Sequence, residues 1–142
     1  MEHFSPKQLK PFHAILSGVP GDISIEIWML PFLWRWQVDE DQRIVNTSIR
    51  LDFIDLPSNM LRDLAGKSFE FPINPDEGYI DGSIYLGYKH HPVDVTSLHF
   101  SKSRDGGLKL IVKGIYVFDH EGLDDLGKIP FTLAVPVSSS AV

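Results

Sequence analysis

The chain has 142 residues, a formal net charge of −6 and a pI near 5.4, with 43% hydrophobic and 23% charged side chains. That length can bury a core without crosslinks, and that composition excludes a disordered or fibrous chain. Cysteine is absent, which removes disulfides, thiolate metal sites and thiol nucleophiles and makes a reducing cytoplasm the expected location.

Met1–Lys10 carries no apolar run, and the longest apolar stretch, Ile27–Leu33, is interrupted by Pro31. Neither a secretory leader nor a membrane span is expected. Ser5 and Pro6 resemble a helix start, with Leu9, Phe12 and Leu16 on one helical face. Pro11 removes a helical hydrogen bond, so only a turn or two should form and the N-terminal segment should be poorly regular.

From there strict alternation dominates, the signature of half-buried strands. Ile23, Ile25, Ile27 and Met29 alternate with Asp22, Ser24, Glu26 and Trp28. After Pro31 the phase flips, and Phe32, Trp34, Trp36 and Val38 share a face. A proline at such a switch implies a bulge or corner. Asp39, Glu40, Asp41 and Gln42 read as a hairpin turn.

Val45, Thr47, Ile49, Leu51 and Phe53 form the most regular alternation in the chain. A short helix around Met60–Ala65 follows, capped from Asp55 or Ser58 and stopped by Gly66. Phe69 and Phe71 begin a further strand, ended by Pro72 and Pro75.

Ile80, Ile84, Leu86 and Tyr88 then oppose Tyr79, Asp81, Ser83 and Tyr85, and Lys89–Pro92 is expected to turn. Val93 and Val95 lie on one parity and Leu98 and Phe100 on the other, which predicts a bulge near Thr96 or Ser97. Arg104, Asp105, Gly106 and Gly107 are a hairpin signal. Leu108, Leu110, Val112, Tyr116 and Phe118 return toward the core. In the last strand Phe131, Leu133, Val135 and Val137 face inward, while Pro130 and Pro136 lie along one edge and mark an edge strand. The expected organisation is one all-β domain over residues 1–137 with a loose tail over 138–142. The fold class is mainly β: an antiparallel sandwich or partly open barrel with one short helix.

No catalytic, metal or cofactor motif stands out, and no cofactor is expected. Gly-x-Ser-x-Gly, HExxH and the glycine-rich phosphate loops are all absent. His90 and His91 are adjacent, so on an extended chain they point to opposite sides, and a solvated turn explains them better than a metal site. Asp119, His120, Glu121, Asp124 and Asp125 gather carboxylates around an imidazole but lack the ligand spacing of a calcium loop. A charged loop is the ordinary explanation. Trp34 and Trp36 share parity with core residues, whereas Trp28 falls on a polar face, as do Tyr79 and Tyr85. An exposed Trp or Tyr on a strand is a typical interface anchor.

The stretch Gly78-Tyr79-Ile80-Asp81-Gly82-Ser83-Ile84-Tyr85, with His91-Pro92-Val93-Asp94-Val95, resembles segments of small uncharacterised bacterial proteins of the toxin-immunity type. The resemblance spans Phe69–Glu121. It implies a non-catalytic, acidic cytoplasmic inhibitor that covers the active site of a basic partner protein, such as a toxin. Carboxylates at Asp39, Glu40, Asp41, Asp76, Glu77 or Asp119–Asp125 would then stand in for an anionic substrate, with Trp28, Tyr79 and Tyr85 as anchors. The alternative is a small-ligand-binding β barrel, or an enzyme using the Asp119–Asp125 loop. Net negative charge argues against nucleic acid, no membrane contact is expected, and a homodimer through an unprotected strand edge stays open.

Overall fold

Strands whose inner residues are almost all aliphatic can bury that face by curling the sheet until its edges meet. The chain does this. The computed structural model describes residues 4–34, 43–87, 89–119 and 126–140, and among them ten strands form. These are β1 (Pro11–Val19), β2 (Asp22–Met29), β3 (Phe32–Trp34), β4 (Arg43–Val45), β5 (Ser48–Ile54), β6 (Ser68–Glu70), β7 (Asp81–Leu86), β8 (Lys89–Lys102), β9 (Leu108–Val117) and β10 (Lys128–Ser139). One short helix, α1, covers Leu61–Leu64.

Seven strands run in the order β8-β7-β5-β2-β1-β10-β9, and β9 pairs with β8 to close a barrel. The expected partly open barrel is therefore a closed one. Every pairing in that ring is antiparallel except β1 with β10, which is parallel over Ala14–Leu16 and Val137–Ser139. β8 is long enough to serve two neighbours on one side. It pairs with β7 as far as Val93 and with β6 from Ser97 to His99. β3 and β4 form a separate two-stranded ribbon.

Inside the barrel the expected alternation holds. Ile23, Ile25, Ile27, Ile49, Leu51, Ile84, Leu86, Leu110, Val112 and Val135 are fully buried. The bulge expected near Thr96 is present, as an extra residue between the Val95–Gly114 and Ser97–Lys113 pairs. It lets Val93, Val95, Leu98 and Phe100 all face the core despite their change of parity. The phase flip at Pro31 carries the chain out of the barrel and into the β3–β4 ribbon. Gly106, at φ +88°, turns the β8–β9 hairpin.

Gly114 in β9 shows why a small residue is needed on the inner wall. A Cβ there would collide with Asp94 O and lie 3.0 Å from Phe131 Cζ. The space is instead filled by the Phe131 ring, which stacks on Tyr116 at 4.1 Å.

Four expectations are corrected. The N-terminal segment makes only one 3-10 turn, Pro6–Gln8, capped by Ser5, and then becomes β1, paired with β2 along its length. Pro11 starts that strand, where its missing N–H is least costly. Lys89–Pro92 belongs to β8, and Leu86 faces Lys89 across a turn at Gly87 (φ +65°). His91 is consequently buried and His90 exposed, which is the opposite-sides geometry of an extended chain. Ser138 and Ser139, expected in a loose tail, pair with β1, and Ser140 N–H donates to Leu16 O. β10 is thus an edge strand only up to Pro136.

The fourth correction lies in β5. Ile23 pairs with Ile54 but Ile25 pairs with Leu51, so β5 carries an extra residue. Phe53 takes it up at φ +58° and is 67% exposed, while Ile54 enters the core in its place. A left-handed phenylalanine costs roughly 1 kcal/mol relative to glycine. Phe53→Gly is expected to raise the urea midpoint by an amount equivalent to up to about 1 kcal/mol. A clear loss of stability would show that the Phe53 ring makes compensating contacts.

Candidate functional site

Because β2, β5 and β7 alternate strictly, their outward residues align in rows across the barrel wall. Trp28 pairs with Ser48. Ile49 pairs with Ile84, which places Ser48 beside Tyr85. Trp28 and Tyr85 therefore flank Ser48, two strand spacings or about 10 Å apart. They are 40% and 56% exposed. The row extends to His13, opposite Trp28, and to His90, whose ring meets Tyr85 edge-on at 5.1 Å.

The next row is polar. Glu26 lies opposite Arg50, and Arg50 opposite Ser83. Ser48 Oγ donates to Glu26 Oε2 at 2.8 Å, and Arg50 Nη1 lies 3.7 Å from Glu26 Oε1. On the far side Arg50 Nε donates to Asp52 Oδ2 at 3.4 Å, and Ser24 Oγ donates to Asp52 Oδ1 at 2.8 Å. The result is a chain Ser48–Glu26–Arg50–Asp52–Ser24 beside the aromatic row. Arg50 is half exposed, so these pairs add little stability; they fix the direction of each charge. Asp52 in turn lies opposite Asp81 at the start of β7.

The remaining sequence candidates are dispersed. Asp76 and Glu77 are exposed in the loop between β6 and β7, and Tyr79, two residues before Asp81, is half-buried there. Asp76 N–H donates to Ile73 O and Tyr79 N–H to Asp76 O, so the loop folds on its own backbone. These side chains precede the Asp81 end of the wall that carries Trp28 and Tyr85. Asp119 is elsewhere, accepting from Lys128 Nζ at 3.0 Å beyond the end of β9. Asp39, Glu40, Asp41, His120, Glu121, Asp124 and Asp125 lie outside the described residues. Among the described residues no group of three His, Asp or Glu side chains could hold a metal, and His90, His91 and His99 do not converge. His99 instead lies 2.6 Å from Ser68 Oγ.

Sequence reasoning did not single out Glu26, Arg50 and Asp52 as site residues. Their outward parity was visible; that they meet depends on the β2–β5 register, which no local pattern specifies.

A second polar feature is buried where the N-terminal segment covers the barrel. Phe4, Phe32, Trp34, His91, Phe118 and Tyr116 pack there, with Phe4 edge-on to Phe118 at 5.7 Å and His91 edge-on to Phe118 at 5.3 Å. Tyr116 is only 2% exposed and is sandwiched between Phe118 and Phe131. Its hydroxyl has no hydrogen-bond partner among the described residues, and burial pushes its pKa far above the ordinary tyrosine value. An unmatched buried hydroxyl costs about 1–3 kcal/mol.

No family model, curated protein or solved structure matches the chain. Among the described residues, no helix is long and apolar enough to cross a membrane.

Tyr116→Phe keeps the ring stack and removes the unmatched group, so it is expected to raise stability by on the order of 1 kcal/mol. Because the folded pKa is raised, the stability linked to this proton is intact below pH about 10, the unfolded value, and is lost as pH rises further. In an absorbance titration the wild type should show a tyrosinate step that coincides with alkaline unfolding and is missing in Tyr116→Phe. The same alkaline midpoint in both proteins would assign that sensitivity elsewhere.

Proposed function

We propose that this chain is a non-catalytic protein-binding module that presents the outer wall of β2, β5 and β7 to a basic protein. The observation that carries this reading is the exposure of Trp28 and Tyr85 in one row beside the held carboxylates of Glu26 and Asp52. Large rigid aromatics supply contact area at small entropic cost, and they are the side chains on which binding energy concentrates. The carboxylates beside them act at longer range, speeding the encounter with a cationic surface and setting its register.

Charge is segregated to match. The β2–β5–β7 wall carries Asp22, Glu26, Asp52 and Asp81 against Arg50, and the loop before β7 adds Asp76 and Glu77. β8, β9 and β10 carry Lys89, Lys102, Lys109, Lys113 and Lys128 against Asp94. Even that lone carboxylate is held above its usual range, because burial outweighs the pull of Lys128. A basic partner is steered to the first wall and away from the second.

The specific form of the reading is an acidic cytoplasmic inhibitor of the immunity type. In it, Glu26, Asp52 and Asp81 occupy the place of an anionic substrate in a cationic cleft, while Trp28 and Tyr85 exclude water around them. No reaction on this chain is required.

A photo-crosslinking residue placed at Ser48, between the two aromatics, is expected to trap a basic protein. The same residue at Lys113, on the opposite wall, should not. Trp28→Ala should weaken the complex by more than about tenfold, mainly through faster dissociation, and added salt should slow association. Equal trapping from both positions, or a complex indifferent to Trp28→Ala and to salt, would sink the proposal.

A further inference from the structure

At one end the barrel is covered incompletely. α1 is strapped across the opening on two sides. Toward β8, Gly66 N–H donates to Phe100 O and Phe100 N–H to Lys67 O. Toward β1 and β10, Asn59 Nδ2 donates to Gly18 O at 2.9 Å and Ser139 Oγ donates to Asn59 O at 2.8 Å. A helix of only four residues cannot fill the space between these straps. A cavity of about 480 Å³ remains beneath it, bounded by α1, the β8–β9 turn and the end of β10. Barrel mouths are common places for small ligands, and this volume is within the range of small-molecule sites.

Its lining divides by chemistry. Leu61, Ala65, Leu108 and Val137 form an apolar surface, and Arg62 and Lys102 stand on the rim. No carboxylate lines it. The serine hydroxyls at its edge are already engaged: Ser103 with Asp105, Ser138 with His13 and Ser139 with Asn59 O. Asp105, the nearest acid in the turn, is committed to the Ser103 hydroxyl and to Gly107 N–H, which hold its carboxyl below its usual range. Arg62 and Lys102 make no ion pair or hydrogen bond among the described residues, so the polar capacity left in this cavity is cationic. An adjoining hollow of about 410 Å³ shares Lys102 and Ser103 and adds Arg104 and Lys109.

From this division we infer that the barrel mouth binds a small amphipathic anion, a medium-chain carboxylate. Its carboxylate head lies against Arg62 and Lys102, and its hydrocarbon body covers Leu61, Ala65, Leu108 and Val137. The net charge of −6 does not oppose this, because exposed charges beyond about 8 Å are largely screened at physiological salt while the two rim cations are in contact. A guanidinium can hold a carboxylate by two parallel hydrogen bonds, which fixes the head and leaves the tail to the apolar surface. The site shares no residue with the Trp28–Tyr85 row, so it stands or falls independently of the protein-binding reading.

Octanoate is the probe, titrated into the ¹⁵N-labelled chain and followed by the amide signals of Gly106 and Gly107, with calorimetry in parallel. Saturable shifts at those glycines are expected. Arg62→Ala and Lys102→Ala, both at exposed positions, should each weaken binding by on the order of tenfold with no change in thermal midpoint. Leu108→Trp, which fills the cavity, should abolish it, and octanol should bind at least about tenfold more weakly than octanoate. Equal affinity for octanol and octanoate would overturn the anion assignment. Absence of saturation, or shifts confined to the Trp28–Tyr85 face, would overturn the site itself.

Discussion

Closure of this barrel depends on one short parallel contact, Ala14–Leu16 against Val137–Ser139. The other six joints of the ring are antiparallel ladders between elements closer in sequence, whereas this one joins strands near opposite ends of the chain. Parallel pairing is slightly weaker per residue, and its loop-closure entropy is the largest in the fold. Its cost is offset by what it completes. With β10 beside β1, the inner faces of all seven strands leave water together, and each large aliphatic side chain buried contributes about 1.5–3 kcal/mol. Where β1 and β10 part, the segment before β1 lies across the gap. Leu9 is buried there, and Phe4 packs between Phe32, Trp34 and Phe118. At the other end the strands finish together and leave the mouth to α1.

The parts of this fold legible in the sequence are those decided by local patterns. Alternation marked β2, β5, β7 and β9, and Gly106-Gly107 marked the hairpin. The parity change between Val95 and Leu98 marked the bulge. What was hidden depends on distant partners. Pro11 argues for a broken helix until β2 supplies the neighbour that makes the segment a strand. Ser138 and Ser139 are polar enough to pass for a tail, and only β1 gives them backbone partners. Phe53 has the right parity for the core, but one inserted residue turns it outward, a choice set by how β2 and β5 must coil around the barrel. His91 next to Pro92 has the composition of a turn, yet Gly87 one step earlier takes the turn and sends the imidazole inside.

The candidate sites divide the same way. Trp28 and Tyr85 could be picked out singly, because an aromatic on a polar parity is anomalous wherever the strand lies. That they share a row, with Glu26, Arg50 and Asp52 locked beneath them, follows from the register of three strands. The mouth cavity had no sequence signature at all. Its residues come from the helix, the β8–β9 turn and the end of β10, and none is unusual in its own neighbourhood. Acidic runs attract attention in a sequence, yet Asp119 is tied to Lys128 and Asp76 and Glu77 only extend a charge pattern whose centre is in the strands.

A net charge of −6 describes this molecule poorly, because the charge is arranged rather than spread. A seven-stranded barrel is roughly 14 Å across its backbone, and side chains widen it further. Screening at physiological salt acts over about 8 Å, so the two walls act nearly independently on anything that approaches. The acidic wall can meet a basic protein while the cations at the mouth meet a small anion, without either weakening the other much. Crosstalk between them would have to travel through the backbone, by way of Ser138, which lines the mouth and lies 3.1 Å from His13 Nε2, the residue paired with Trp28. That route crosses the parallel β1–β10 contact. The joint that closes the barrel is also the place where the two sites come nearest to touching.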